Sequence, residues 1–279
     1  MIAVELRKLA RRPRTWATLF LLDLLPTVVA VLLAVTHLGP RPGQGPAFLS
    51  AVLANGSLFS VAALAIVLPL FLPVAVTVIA GDSIAGEAQA GTLRYLLTRP
   101  VGRTRLLVAK LIAVLVFVLV AVVVVAGTGY LVGKLLLGGQ PLTASTSVAG
   151  VTGVTSVSGS TLTSGQIALR TVLAIGYVAL SMIGVAAMAL LLSTFSDSPL
   201  SASLGALAFL IGSSLLLPLD AARGIAPYLP TRYWLSFIDL FRDPILWRNV
   251  ERGVLLQLVY VVVLLGAAWA NFSSKDITS

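Results

Sequence analysis

Apolar positions in this chain do not alternate with polar ones; they run on. Continuous apolar stretches lie at about 16–36, 57–80, 106–137, 167–192, 200–219 and 254–270. Each is long enough to cross the hydrocarbon of a bilayer as a helix. In lipid a single span must satisfy its own backbone hydrogen bonds, which a helix does and an isolated strand does not. The pattern predicts an all-α integral membrane protein, a single transmembrane domain over 1–279 with six spans. Ahead of the first span, Met1–Arg14 sets Ile2, Leu6 and Leu9 on one helical face and Glu5, Lys8 and Arg12 on another, with Arg7, Arg11 and Arg14 adding charge. That is an interfacial helix held against anionic lipid headgroups. A signal peptide also starts with charge and an apolar run, but 16–36 is about twice the length of a signal core.

The longest polar interruption in the first half is Gly81–Lys110. Within it, Thr92–Thr98 places Leu93, Leu96 and Leu97 at i, i+3 and i+4, one face of a short helix. Pro100 closes that helix, because proline disfavours helix in the residue before it. The segment 81–105 therefore reads as a short amphipathic helix lying flat at the membrane surface between two spans.

Composition sharpens the class. Only 10% of the residues are charged and mean hydropathy is +1.03, against about 25% charge in soluble domains. The net charge of +9 is not a nucleic-acid patch, since the cations gather at the ends of apolar runs, as the positive-inside rule requires. Arg7, Lys8, Arg11, Arg12, Arg14, Arg94, Arg99, Arg103 and Arg105 would lie in the cytoplasm, against Arg41 outside. The second half is less clear, with Arg223, Arg232, Arg242, Arg248 and Arg252 outside against Lys275 inside. Six spans put both termini in the cytoplasm and the chain in the cytoplasmic membrane.

Several positions within the spans stand out. Asp23 in the first span costs roughly 2.5–3.5 kcal/mol to insert, so it should face protein or water. It reads either as a polar lining of a pathway or subunit seam, or as a carboxylate that snorkels or pairs with a nearby arginine. Pro69 and Pro73 remove backbone donors and should bend the second span, at a pathway or simply for packing. Gly129 and Gly133 form a small-xxx-small pair that allows close helix approach. Gly138–Gln166 is uncharged and rich in Ser, Thr and Gly, an outer loop. In 231–248, Tyr233, Trp234, Phe237, Ile238 and Phe241 share one helical face. Such an aromatic face suits anchoring at a membrane interface; a re-entrant element also fits.

One set of residues resembles a known family. Glu87, Gly91-Thr92-Leu93, Leu96-Leu97, Arg99-Pro100-Val101, Arg103, Leu106-Leu107 and Lys110 are similar to the segment after the second span in membrane subunits of type-two ATP-binding-cassette (ABC) exporters. Ala88 stands where that family usually has a basic residue. Phe272 with Lys275-Asp276-Ile277 is similar to its usual ending. The resemblance implies a cytoplasmic coupling helix that docks into a separate ABC ATPase subunit, present in two copies. It assigns the ATPase-coupling role to Glu87, Gly91, Thr92, Leu93, Arg94, Leu96, Leu97 and Pro100. It also implies a second permease copy or homologue, with ATP and Mg bound on the ATPase and no cofactor on this chain.

The residues agree with that division of labour. Gly129–Lys134 lacks the phosphate-loop spacing, and Leu135 sits where Ser or Thr is needed. There is no H-E-x-x-H motif, no cysteine and a single histidine, His37, so no metal site or catalytic set is expected. The chain alone is not an enzyme. The expected function is an exporter permease, its partners the ATPase, a second permease and membrane lipid, with no nucleic acid. The alternative is an ion- or proton-coupled secondary transporter, a class that places ionisable residues near the midplane and carries repeated halves. Here the deep spans offer little beyond Asp23.

Overall fold

The computed structural model describes residues 1–36, 56–91, 103–137, 154–155 and 161–274. Eight α-helices account for nearly all of them. They are α1 (Ile2–Arg11), α2 (Pro13–Thr36), α3 (Phe59–Val67), α4 (Phe71–Gln89), α5 (Arg103–Val132), α6 (Ser164–Phe195), α7 (Pro199–Leu216) and α8 (Trp247–Ser274). The only sheet pairing among the described residues is a two-residue antiparallel ladder, Val154–Thr155 with Thr161–Leu162. Six helices are long and apolar enough to cross a membrane, so the chain is an all-α, multi-pass membrane protein as the apolar runs predict.

The second span is made of two pieces. α3 stops at Val67, the chain turns through Leu68–Leu70, and α4 begins at Phe71. Pro69 sits in that turn. Pro73 lies in the first turn of α4, where its missing N–H has no intrahelical partner to lose. The bend expected from the two prolines is therefore a break at the first of them. α4 continues well past Ala80 to Gln89, so the first residues of the polar stretch Gly81–Lys110 are helical and packed.

α4 and α6 are enclosed on most sides, whereas α2, α7 and α8 keep broad apolar faces outward. Those outward residues include Phe20, Leu21, Leu32 and Val35 on α2, and Leu255, Val262 and Val263 on α8. In water such exposure would be costly; in lipid it is the expected surface. The core runs along α3, the inner half of α5 and α6, through Val61, Leu64, Val118, Val122, Val178, Met182 and Ala186. A second cluster at the basic end joins Ile84, Leu106, Leu107 and Leu190 to Phe272. It places the end of α8 beside the ends of α4 and α6 and the start of α5, the helix that α1 also packs on.

The small-xxx-small pair acts within the chain. Gly129 on α5 and Gly133, which opens the π-helical turn Gly133–Leu137 after it, lie against α3 and the residues leading into it, and a Cβ at Gly129 would come within 2.8 Å of Ala63 Cβ. One at Gly133 would fall on the Gly56 carbonyl and come 2.5 Å from Phe59 Cβ. The aromatic stretch also turns inward. Trp234–Phe241 is a 3₁₀ helix, and Tyr233, Trp234, Phe237, Leu240 and Phe241 are buried against α6 and α8. These aromatic side chains pack on protein. Three side chains, from two spans, bind the backbone on either side of the 3₁₀ helix. Tyr177 Oη donates to Tyr233 O at 2.6 Å, Gln257 Nε2 to Pro230 O at 2.7 Å, and Arg170 Nη1 to Arg242 O at 2.9 Å.

Close packing at Gly133 can be checked by substitution. Gly133→Ala must displace backbone at Gly56 and should cost about 1–3 kcal/mol. Gly127→Ala meets nothing within 4 Å and should stabilise by up to about 1 kcal/mol through helix propensity. Thermal unfolding of the detergent-solubilised chain separates the two. Equal effects would mean that α5 does not pack on α3 through Gly133.

Candidate functional site

Four basic and three acidic side chains converge where α1 meets the ends of α4 and α5. α4 carries Asp82 and Glu87 on turns that are otherwise packed against apolar neighbours, and both are buried. α5 brings Lys110, almost completely enclosed. α1 brings Glu5, Lys8 and Arg12, which its helical spacing aligns on one face, and the start of α2 brings Arg14.

Glu87 is the hub. Lys8 Nζ donates to Glu87 Oε1 at 2.5 Å, and Lys110 Nζ lies 2.7 Å from Oε2. The same ammonium donates to the Ser83 carbonyl at 2.6 Å and stands 3.9 Å from Glu5 Oε2. One turn earlier on α4, Asp82 receives the guanidinium groups of both Arg12 and Arg14. Four cations thus meet three carboxylates, which leaves the cluster close to neutral and lets it sit in a poorly solvated place. A small cleft beneath α1, of about 40 Å³ and lined by Glu5, Lys8, Arg12, Asp82 and Lys110, has room for water but not for a cargo molecule.

The polar face of α1 therefore serves the protein rather than the headgroups. Arg7 and Arg11, on the other side, are exposed, and Leu9 packs against the core. The elbow between α1 and α2 is fixed by Trp16, whose indole N–H donates to Ala10 O at 2.8 Å.

Of the expected coupling residues, Glu87 and Gly91 are described; Thr92, Leu93, Arg94, Leu96, Leu97 and Pro100 lie outside the described residues. Gly91 has φ +66° and ends α4, with its N–H bonded to Ala88 O at 3.0 Å. Glycine takes that left-handed conformation without the strain a Cβ would add. Asp23 is remote from this cluster. It faces protein, as its cost of insertion requires, and its partner is the Thr128 hydroxyl on α5 rather than an arginine. Pro69 is exposed and Pro73 buried. Asp82 and the enclosure of Lys110 were missed as site features. The signal for them is the alignment of Glu5, Lys8 and Arg12, a charged helix face that demands countercharges somewhere.

A metal-binding group of His, Cys, Asp and Glu is absent among the described residues. What the cluster does offer is mechanical. It ties a surface helix to the root of the segment 92–102 through charges that are expensive to separate. Removing Lys110 strips a buried carboxylate oxygen of its cation, so Lys110→Met should cost about 3–5 kcal/mol. Lys8 is 39% exposed, and Lys8→Gln should cost under about 1 kcal/mol. The double variant Lys110→Met with Glu87→Leu should recover much of the larger loss. Thermal stability in detergent reads all three, and a single-variant order with Lys8 dominant would refute this account of the cluster.

Comparison with known proteins adds the family. No curated protein matches the chain. The family model described as "ABC-2 family transporter protein" matches residues 1–241, from α1 through the 3₁₀ helix that ends at Phe241. With most of its length matched and six membrane-crossing helices in place, the chain belongs to the ABC-2 transporter family, as a type-2 ABC permease subunit.

Proposed function

We propose that this chain is the membrane half of an ATP-driven exporter in the cytoplasmic membrane, with both termini in the cytoplasm. Two copies, or this chain and a homologue, form the pathway. Two ABC ATPase subunits bind ATP and Mg and press on residues 92–100 from the cytoplasmic side. Thr92, Leu93, Arg94, Leu96, Leu97 and Pro100 meet the ATPase; Gly91 lets the chain leave α4 towards it.

The observation that carries this reading is the ion-pair cluster at the foot of α4. A segment that receives force must be joined to the helices it moves. Glu87, four residues before Gly91, is held by Lys8 of α1 and Lys110 of α5. Motion of the coupling segment is then passed to α1, α4 and α5 together. Glu87 acts inside the chain, as the joint, rather than as a contact to the ATPase. An apolar groove of about 470 Å³ between α2 and α4, lined by Leu21, Leu25, Val28, Phe71, Val74 and Val78, supports a pathway or seam on that side of the subunit. A second copy against α2 would enclose it.

Three measurements test the proposal. A tagged chain purified gently from its native membrane should bring down a stoichiometric ATPase. In the reconstituted complex Glu87→Gln should lower the permease-dependent part of the ATPase rate by about tenfold, or about 1.4 kcal/mol. Full coupling in that variant would remove Glu87 from the mechanism. Orientation is read by single cysteines in intact cells. One at Ala90, on the basic end, should be shielded from an impermeant label and one at Gly165 should react. The reverse would turn the chain over.

A further inference from the structure

The hydrogen-bond ladder of α4 is invaded by side chains just before the ion-pair cluster. In an α-helix the N–H of residue i bonds to the carbonyl of residue i−4, so Ala85 N–H belongs to Gly81 O. Here a hydroxyl from another helix stands between them. Ser193 Oγ, on α6, donates to Gly81 O at 2.7 Å and accepts from Ala85 N–H at 2.9 Å and from Ile84 N–H at 3.2 Å. Ser193 is 1% exposed, so water does not replace it.

Neighbouring carbonyls of α4 also accept from hydroxyls. Ser203 Oγ on α7 donates to Thr77 O at 3.1 Å, Thr77 Oγ1 to Val74 O at 3.0 Å, and Ser83 Oγ to Ala80 O at 2.6 Å. Gly81 makes room for this: a Cβ there would lie 2.5 Å from Ser203 Oγ. A side chain inserted in the ladder is a recognised cause of helix bending. Within a membrane bundle such a break persists only where another group satisfies the freed backbone. Ser193 supplies both a donor and an acceptor, so it can hold the rung open at little cost.

We propose that Ser193 is a positioning residue for energy coupling. Its hydroxyl sets a hinge at Gly81–Ala85, between the membrane part of α4 and the end of the helix where Glu87 is ion-paired. The role in coupling rests on the exporter reading given above; the hinge does not. α6 and α7 grip α4 from two sides, each with one serine, and are joined by the short turn Ser196–Ser198. When the foot of α4 is pushed, bending at the substituted rungs breaks hydroxyl contacts that re-form easily. The apolar upper part, packed through Leu72, Val76 and Ile79, moves as a rigid piece. Without the hydroxyl, Ala85 N–H closes directly on Gly81 O and the hinge stiffens.

The test pairs amide hydrogen exchange with ATPase coupling, using Ser193→Ala and Ser193→Thr in the full chain in lipid nanodiscs, with and without its ATPase. In Ser193→Ala the Ile84 and Ala85 amides should exchange at least about threefold more slowly than in the wild type, as direct rungs open less often. Ser193→Thr, which keeps the hydroxyl, should restore the faster rate. In the complex, the wild-type amides should respond to ATP with vanadate. Ser193→Ala should lose that response and lower the permease-dependent ATPase rate by about fivefold, an effect on coupling rather than on folding. Unchanged or faster exchange in Ser193→Ala would overturn the hinge. Slower exchange with intact nucleotide response and ATPase rate would overturn the positioning role. If no ATPase joins the wild-type chain, the exporter reading and the coupling role fall together, while the exchange rates of the permease alone still decide whether the hinge exists.

Discussion

Two carboxylates on one membrane helix govern how the basic end of this protein is built. Asp82 and Glu87 belong to turns of α4 that are buried between other helices, and an ionised carboxylate cannot stay there without countercharge. Lys110 reaches one from α5; Lys8, Arg12 and Arg14 reach both from the N-terminal segment. The location of α1 follows from this demand. Its apolar face would let it float anywhere along the headgroup plane, but its charged face has partners in one place only. A helix that sequence pattern assigns to the lipid surface is thereby made part of the bundle.

The same helix is governed a second time by its backbone. A membrane span must satisfy every N–H and carbonyl internally or through neighbours. The second span, with the residues that leave it, departs from the regular ladder at three points and is compensated at each in a different way. At Pro69 the missing donor coincides with a break between two helices. At Gly81–Ala85 the Ser193 hydroxyl of α6 bridges the ladder. At Gly91 a left-handed glycine releases the chain. Glu87, with its two lysine partners, lies between the second and third.

The far end of the bundle solves the backbone problem without helices. The stretch between α7 and α8 folds into short 3₁₀ turns whose carbonyls lack regular partners, and Tyr177, Gln257, Arg170 and Tyr260 donate to them from the spans. Its aromatic side chains fill the space between α6 and α8. The two ends thus contrast: charges and hydroxyls at the foot of α4, a packed plug tied by single hydrogen bonds at the other.

The sequence by itself determined the class, the six crossings, the break near Pro69 and the tight approach through Gly129 and Gly133. Each depends on a local property: the length of an apolar run, a missing donor, a missing Cβ. The residues Glu87 and Gly91 were also legible as special, through family pattern. What only the tertiary structure decided is which surface each face meets. Periodicity aligns Glu5, Lys8 and Arg12 but does not say whether headgroups or carboxylates lie opposite. It aligns Tyr233, Trp234, Phe237 and Phe241 but does not say whether lipid or protein covers them. Asp23 asks for a partner, and only the packing of α2 on α5 makes it Thr128. Ser193 carries no signal at all in the sequence, since serine is common in membrane helices. Its meaning comes from a hydroxyl placed within hydrogen-bond distance of a backbone more than a hundred residues away in the chain, a distance that only the folded bundle closes.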